Sequence, residues 1–435
     1  MTSSRDKRRS PSIGASPLGV IRQEQPFGVV DYGTAYAKAI VVHFGPASSW
    51  NLVGAGSICY GSRQTRASLA LGPEQQQAAT EALRQAQSRS LSLSGRLIAP
   101  KAVVVSVPAD MLTLQTYRWE MKRRRPLRPV DASEAADSLS QAHNASLSQA
   151  ASHMYDAASP GRPVWLGTVW SAWFVDRRSV TSAAGFRGET IAVSTTQATT
   201  STAALDSLRN MPPSFAAAAV FLPEPLGIAE LLRRRQPCLL FDAGAQRTGV
   251  YLRSADGNLH CTSVATGGHH FNRWLSLAGG LSPSRAEKVK LAYAEGRLHP
   301  RGSLRVRAVV QRAYAAWAKR LVAALDTAGW PLPGAWYATG GHSHLPEWAA
   351  LPGIVADASM SRLERYPNLE PLPLDDCAGP IVSGPERLQP CHSVAWGLAQ
   401  YLVRLSHDEQ ALAELRQASA LAAKAGFEVS SEWLT

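Results

Sequence analysis

One short frame occurs twice in this chain, and no other feature restricts its fold as much. "VVDYGTAYAKAIVV" falls within residues 27–44, and "LFDAGAQRTGVYL" closes residues 238–252, about 210 residues later. Each copy runs from an apolar strand through an Asp-x-Gly turn into a second apolar strand. A strand–turn–strand unit repeated at that distance predicts two related lobes, with the two turns facing one ligand from opposite sides. Taken alone, Asp242 has two readings. It organises a hairpin turn through bonds to its own backbone, or it belongs to a loop whose N–H groups cradle oxyanions while the carboxylate holds Mg²⁺ through water.

With 435 residues, 45% of them hydrophobic, the chain is long enough for several domains and a large core. The longest apolar run, "FAAAAVFL", is far short of the ~20 residues a membrane helix needs, and the charged start is not followed by the apolar segment of a secretory signal. Five cysteines (59, 238, 261, 377 and 391) are scattered without a CxxC pair, which predicts reduced thiols and no zinc site. The net charge of +12 sits partly in the short runs "RDKRR", "KRRRPLR" and "RRR". These lack interleaved aromatics or a recognisable module, so nucleic acid is not expected. They are solvated loops, or contacts to anionic lipid or an acidic partner. His269-His270 and His342-x-His344 follow Gly-Gly pairs and lack accompanying carboxylates or cysteines, so no metal is expected on them.

Residues 1–26 are basic and rich in Ser and Pro and are expected to be a disordered tail. Helical spacing marks residues 72–91, 131–143 and 306–327, and Ser282-Pro283-Ser284 signals another helix start. "PVWLGTVWSAWFVD" and "RGETIAVSTTQ" read as strands of a separate α+β insertion. "AWYATGGHSHLPEW" (335–348) reads as a strand entering a Gly-Gly turn.

Four segments in order therefore stand out: Asp31-x-Gly33-Thr34, Asp242-x-Gly244 with Thr248, Glu287-x-x-Lys290, and Thr339-Gly340-Gly341. Their order resembles the actin, heat-shock chaperone and sugar-kinase ATPase superfamily. Within it the chain resembles the bacterial cell-division FtsA family through "FLPEPLGIAELL" and "GGHHFNRWLSLAGGLSPSRAEKVKLAYAEG". The PilM-type pilus-assembly family, which shares the inserted subdomain, is the close alternative. The resemblance implies an α/β, actin-like (duplicated ribonuclease H-like) fold with two lobes around a nucleotide cleft. It divides the chain into a tail (1–26), lobe I (27–97, 206–236 and a closing helix at 389–406), an inserted α+β subdomain (98–205), lobe II (237–388) and a C-terminal helix or tail (407–435).

The same resemblance implies ATP with Mg²⁺ as cofactors. Asp31, Gly33 and Thr34 would meet the β/γ-phosphates and magnesium water, and Asp242, Gly244 and Thr248 would form the second phosphate loop. Glu287 and Lys290 would meet ribose and base, and Gly340 and Gly341 would pack on adenosine with Gly267 and Gly268 nearby. Lys38 is expected to be a solvated strand-end residue. The implied partners are the tubulin-like division protein FtsZ, further copies of the chain in protofilaments, and divisome or pilus membrane proteins. The implied location is the cytoplasm, with peripheral contact at the membrane. A small-molecule kinase is the enzyme-class alternative, but no further Asp is placed as its base. Three departures stand against the family pattern. Ala245, Gln246 and Arg247 replace the Gly-Gly-Thr of the second loop, which restricts its backbone and puts hydrolysis in doubt. Asn272 and Trp274 replace Thr and Asp. The C-terminal segment is acidic and alanine-rich where the family has a basic amphipathic helix, leaving Trp433, Leu434 or the basic N-terminal tail to approach a membrane.

Overall fold

The computed structural model describes residues 17–45, 49–60, 73–156, 161–209, 219–359, 362–374, 381–382 and 388–429. The first half opens with helix α1 (Pro17–Arg22) and strands β1 (Phe27–Tyr32), β2 (Tyr36–Gly45) and β3 (Ser49–Cys59), followed by α2 (Pro73–Ser94) and β4 (Ala102–Val107). Next come β5 (Thr113–Lys122), α3 (Ala132–Asp156), β6 (Pro163–Val175), β7 (Arg178–Val180) and β8 (Thr190–Ser201). The chain returns through α4 (Thr202–Arg209), β9 (Ala219–Pro223) and α5 (Glu224–Leu232). The second half contains β10 (Cys238–Ala243), β11 (Thr248–Arg253), β12 (Leu259–Val264), α6 (Gly268–Gly279), α7 (Pro283–Ala294), α8 (Pro300–Ala328), β13 (Ala335–Thr339), α9 (Leu351–Ser359) and β14 (Asn368–Pro371). It ends with β15 (Ile381–Val382), α10 (Ser393–His407), α11 (Glu409–Lys424) and β16 (Glu428–Val429).

The two halves build the same sheet. The first has the order β15-β3-β2-β1-β4-β9 and the second β12-β11-β10-β13-β14. In both, a three-stranded antiparallel meander continues into two parallel strands. The parallel strand β4 and its neighbour β1 are buried at every position, which is why both are mostly apolar. Helices α10 and α5 pack together beside the first sheet. The second sheet has its own core, centred on Trp317, Trp336 and Phe271. A third sheet, β16-β6-β8-β5, carries α3 on one face.

Several expected boundaries are corrected. The insertion does not begin at 98, because β4 pairs in parallel with β1 and belongs to the first lobe's sheet. Residues 381–382 also leave the expected lobe II span, pairing with β3. Within the expected disordered tail, α1 is a helix that buries Leu18, Val20 and Ile21; residues 1–16 lie outside the described residues. Of the C-terminal segment expected as a helix or tail, the described part is the helix α11 followed by the short strand β16. Helix α11 buries Leu412, Leu415, Ala418 and Ala422, and β16 adds to β6. Alanine is what its packed face needs for close approach to α3. Trp433 and Leu434 lie outside the described residues.

Candidate functional site

The repeated hairpins meet tip to tip. β1 and β2 pair antiparallel with Asp31 opposite Lys38, and β10 and β11 with Asp242 opposite Gly249. Each aspartate is one residue from the end of its strand, and each strand has a parallel neighbour on its other side. The carboxyl ends of parallel strands are where open α/β sheets leave a crevice. A cleft of about 600 Å³ lies there, lined by Asp31, Gly33, Thr34, Asp242, Gly244, Gly268, Glu287, Lys290, Gly340 and Gly341 among others.

Two expected site residues stand outside that lining. Thr248 is fully buried in the lobe II core, where its hydroxyl donates to the Thr266 carbonyl at 2.9 Å and accepts from the Trp317 indole at 3.1 Å. Strand alternation turns its neighbour Gly249 to the cleft instead. Gly267 caps α6, and a Cβ there would fall 2.3 Å from the Gly244 carbonyl, so it serves close packing of the helix on the second turn. The N–H groups of Gly268 and His269 donate to the carbonyls of Gly244 and Ala245 at 3.0 and 2.7 Å. The open end of α6 is thereby closed by the turn itself.

Lys38 is not the solvated strand-end residue expected from sequence. Its Nζ lies 2.7 Å from Asp31 Oδ2, with the lysine side chain 16% exposed. Directly opposed residues of an antiparallel pair project to the same side of the sheet, so the register forces the contact. The second Asp31 oxygen accepts from Ser106 Oγ at 2.6 Å. Burial pulls the Lys38 pKa down, but Asp31 more than offsets this and holds the ammonium above its ordinary value.

The second turn is wired differently. Arg247 donates to both Glu224 oxygens at 3.2 and 3.1 Å, and Glu224 also accepts from the Ala109 N–H at 2.9 Å. Burial pushes the Glu224 carboxyl up to about 7 against the pull of Arg247. Burial likewise raises Asp242, with Lys38 opposing and Asp31 reinforcing the shift. The Gln246 N–H donates to Thr34 Oγ at 3.1 Å, so one hairpin touches the other directly.

At the far end Lys290 pairs with Glu287 at 2.7 Å, and Tyr36 donates to Glu287 Oε1 at 3.4 Å. Asn272 also donates its amide to Glu287. Burial lowers the Lys290 pKa despite that partner. Gly340 has φ +88°, and a Cβ on it would lie 2.6 Å from Asp242 Oδ1; only glycine tolerates both conditions. A Cβ on Gly341 would meet nothing within 4 Å, so bare backbone faces the open cleft.

These features fit a nucleotide over most of the cleft: two opposed turns with a carboxylate each, an acid–base pair at the far end, and flat Gly-Gly backbone beside it. The fit is poorer at the second turn, where side chains stand at positions 245–247 and the Gln246 N–H is already used. Among the described residues no group of three or more His, Cys, Asp or Glu could hold a metal ion directly. No described helix is long and apolar enough to cross a membrane.

Sequence reasoning missed Glu224, Asp110 and Tyr36 as cleft-lining residues. Glu224 was visible in "PEPLG", but an acid opening a helix reads as a dipole partner. Its inward placement follows from the parallel pairing of β9 with β4, which local pattern does not reveal.

No protein-family profile and no curated protein matches the chain. Solved structures do resemble it. A chain of the PilM-PilN type IV pilus biogenesis complex superposes with a TM-score of 0.55 at 18% identity, covering 88% of this chain and 99% of that one. The ethanolamine utilization protein EutJ from Carboxydothermus hydrogenoformans gives 0.45 at 12% identity, over 86% and 89%. A Bacteroides thetaiotaomicron protein described as having an actin-like ATPase fold gives 0.35 at 8% identity, over 80% and 94%. The fold of this chain is the actin-like ATPase fold, and its two similar sheets agree with that.

Proposed function

We propose that this chain is a nucleotide-dependent scaffold of a membrane-bound assembly, of the PilM-like pilus type, with ATP as its ligand. The single observation that carries the nucleotide part is the cleft in which two equivalent hairpins oppose Asp31 and Asp242. Support for the pilus part is the likeness to the pilus-complex chain over nearly the whole of both chains. Gly33, Gly244 and Gly268 would admit the phosphates. Glu287 and Lys290 would meet the ribose and base, and Gly340 and Gly341 the adenosine. Asp31 and Asp242 would hold the waters of a Mg²⁺ ion that neutralises the phosphates when nucleotide is bound.

Turnover is slow at most in this proposal. Glu224 is a cleft carboxylate that burial pushes up to about 7, and Arg247 occupies both of its oxygens. A base already engaged in a charged pair accepts a proton poorly. The scaffold role therefore rests on binding and lobe position, and further copies of the chain are candidate partners through self-association.

A second proposal is the division role, linking FtsZ to membrane-bound division proteins. The ordered motif set and the "GGHHFNRWLSLAGG" run favour it. Burial of the apolar face of α11 disfavours that helix as a membrane helix of that family's kind. Purified chain should be offered the cytoplasmic segments of the pilus membrane proteins and the FtsZ tail encoded in the same genome, with and without ATP·Mg. ATP-dependent capture of a pilus segment is expected. Capture of the FtsZ tail alone would transfer the assignment to division, and capture of neither would defeat both.

A further inference from the structure

The excess charge of this chain is concentrated. Residues 268–328, which form α6, α7 and α8, contain eleven Lys and Arg against three Asp and Glu. All three acids are already paired: Glu287 with Lys290, Glu295 with Arg297, and Asp326 with Arg362. On α8, Arg301, Arg305, Arg312 and Lys319 are exposed, and among the described residues none has an acidic partner. Their spacing of four, seven and seven residues puts them on one stripe, about 27 Å long at 1.5 Å per residue. Leu304 stands beside its first two cations, 64% exposed, and Leu277 on the neighbouring α6 is 77% exposed.

We propose that this outer face of α8 docks the chain on anionic lipid headgroups. Cations held in a line on a rigid helix meet a charged plane without ordering new structure, and a protruding leucine adds apolar contact at the boundary with the acyl chains. An acidic peptide would need a groove or a free strand edge for its backbone, and the outer face of a helix supplies neither. Nucleic acid recognition would call for aromatic stacking or a reading helix with base-directed side chains, and this stripe carries arginine, lysine, alanine and leucine. The apolar face of α11, the other amphipathic helix near the chain's end, is committed to the inserted subdomain. The surface is independent of the nucleotide cleft.

The test is flotation of the full chain with phosphatidylglycerol–phosphatidylcholine vesicles and with pure phosphatidylcholine vesicles. Binding is expected only to the anionic vesicles and should weaken with salt. The triple variant Arg305→Glu, Arg312→Glu, Lys319→Glu should lose about a hundredfold in affinity with its thermal unfolding unchanged. Arg124→Glu with Arg125→Glu, exposed charges on the inserted subdomain, should lose far less. Absence of vesicle binding by the wild type overturns the proposal. So does equal loss in the control pair, which would make the effect one of net charge, or preference for duplex DNA or polyglutamate over vesicles. Asp242→Ala should bind vesicles normally, so a failed nucleotide site and a failed lipid surface are told apart.

Discussion

The hairpin β1–β2 and the hairpin β10–β11 share a topology but spend their charges differently. In the first, aspartate and lysine face each other across the strand pair, 2.7 Å apart, and Gly33 leaves the turn bare. In the second, the residue opposite Asp242 is Gly249, and the cation has moved into the turn as Arg247, where it binds Glu224 of the other lobe. Duplication fixed where the two turns meet, and divergence decided whether each turn serves a ligand or the neighbouring lobe. The first hairpin keeps its ion pair within itself, whereas the second uses its cation as a latch.

The largest expected effect separates these two ion pairs. Lys38→Ala leaves Asp31 buried without its counter-ion and should cost about 3–5 kcal/mol in denaturant unfolding. Arg247→Ala exposes Glu224 to a site that water can enter and should cost roughly 1–3 kcal/mol. It should also push the Glu224 carboxyl further up, leaving it protonated near neutral pH, so any measured ATP turnover should not rise. Equal costs for the two substitutions would remove the distinction between internal ion pair and latch.

The glycines give a smaller contrast. A Cβ on Gly33 meets the far end of the Lys38 side chain at 2.9 Å, whereas one on Gly244 meets the Arg247 carbonyl at 2.8 Å. The ammonium end of Lys38 can shift slightly while keeping its Asp31 partner and backbone cannot, so Gly33→Ala should cost about 1 kcal/mol and Gly244→Ala about 2–3 kcal/mol.

Each hairpin also has a buried histidine near it. His392 lies close to Lys38 and Asp31 with its pKa lowered by burial to about 4, and His342 follows Gly341 with its own lowered by burial to about 3. An unfolded imidazole takes its proton near pH ~6.5, and these folded ones do not until pH is far lower. Acid therefore favours the unfolded chain, and stability should fall as pH drops from about 6.5 toward 4, by up to about 1.4 kcal/mol per pH unit per histidine. His342→Phe should flatten that slope, as read by thermal unfolding across the window. An unchanged slope in that variant would place the His342 ring in solvent-like surroundings. The smallest effect is Gly341→Ala, within about 0.5 kcal/mol of wild type in unfolding experiments, because nothing lies within 4 Å of the new methyl group.

Much of this was legible in sequence because it is local. The Asp-x-Gly frames announced both hairpins, and 3.6-residue spacing announced α2 and α8. What was not legible depended on partners far along the chain. β4 reads as any buried strand, and only its parallel pairing with β1 assigns it to the first lobe. Lys38 looked solvated because the cross-strand carboxylate that captures it is set by register rather than by its neighbours. Thr248 looked like a ligand because the motif carries a threonine there, whereas strand alternation turns it toward Trp317. The alanine-rich face of α11 was read for its poor fit to a membrane, and its packing against α3 and β6 was not visible from local pattern.

A nucleotide is expected in the space between the two turns, and calorimetric titration with ATP, with and without Mg²⁺, reads its binding. Gly341→Trp is the companion variant, since it fills the open side of the cleft without disturbing buried backbone. Saturable binding of one nucleotide per wild-type chain is expected, with loss of that binding in Gly341→Trp at unchanged thermal stability. A wild-type chain that gives no binding heat with ATP or ADP under either condition would contradict a nucleotide site there.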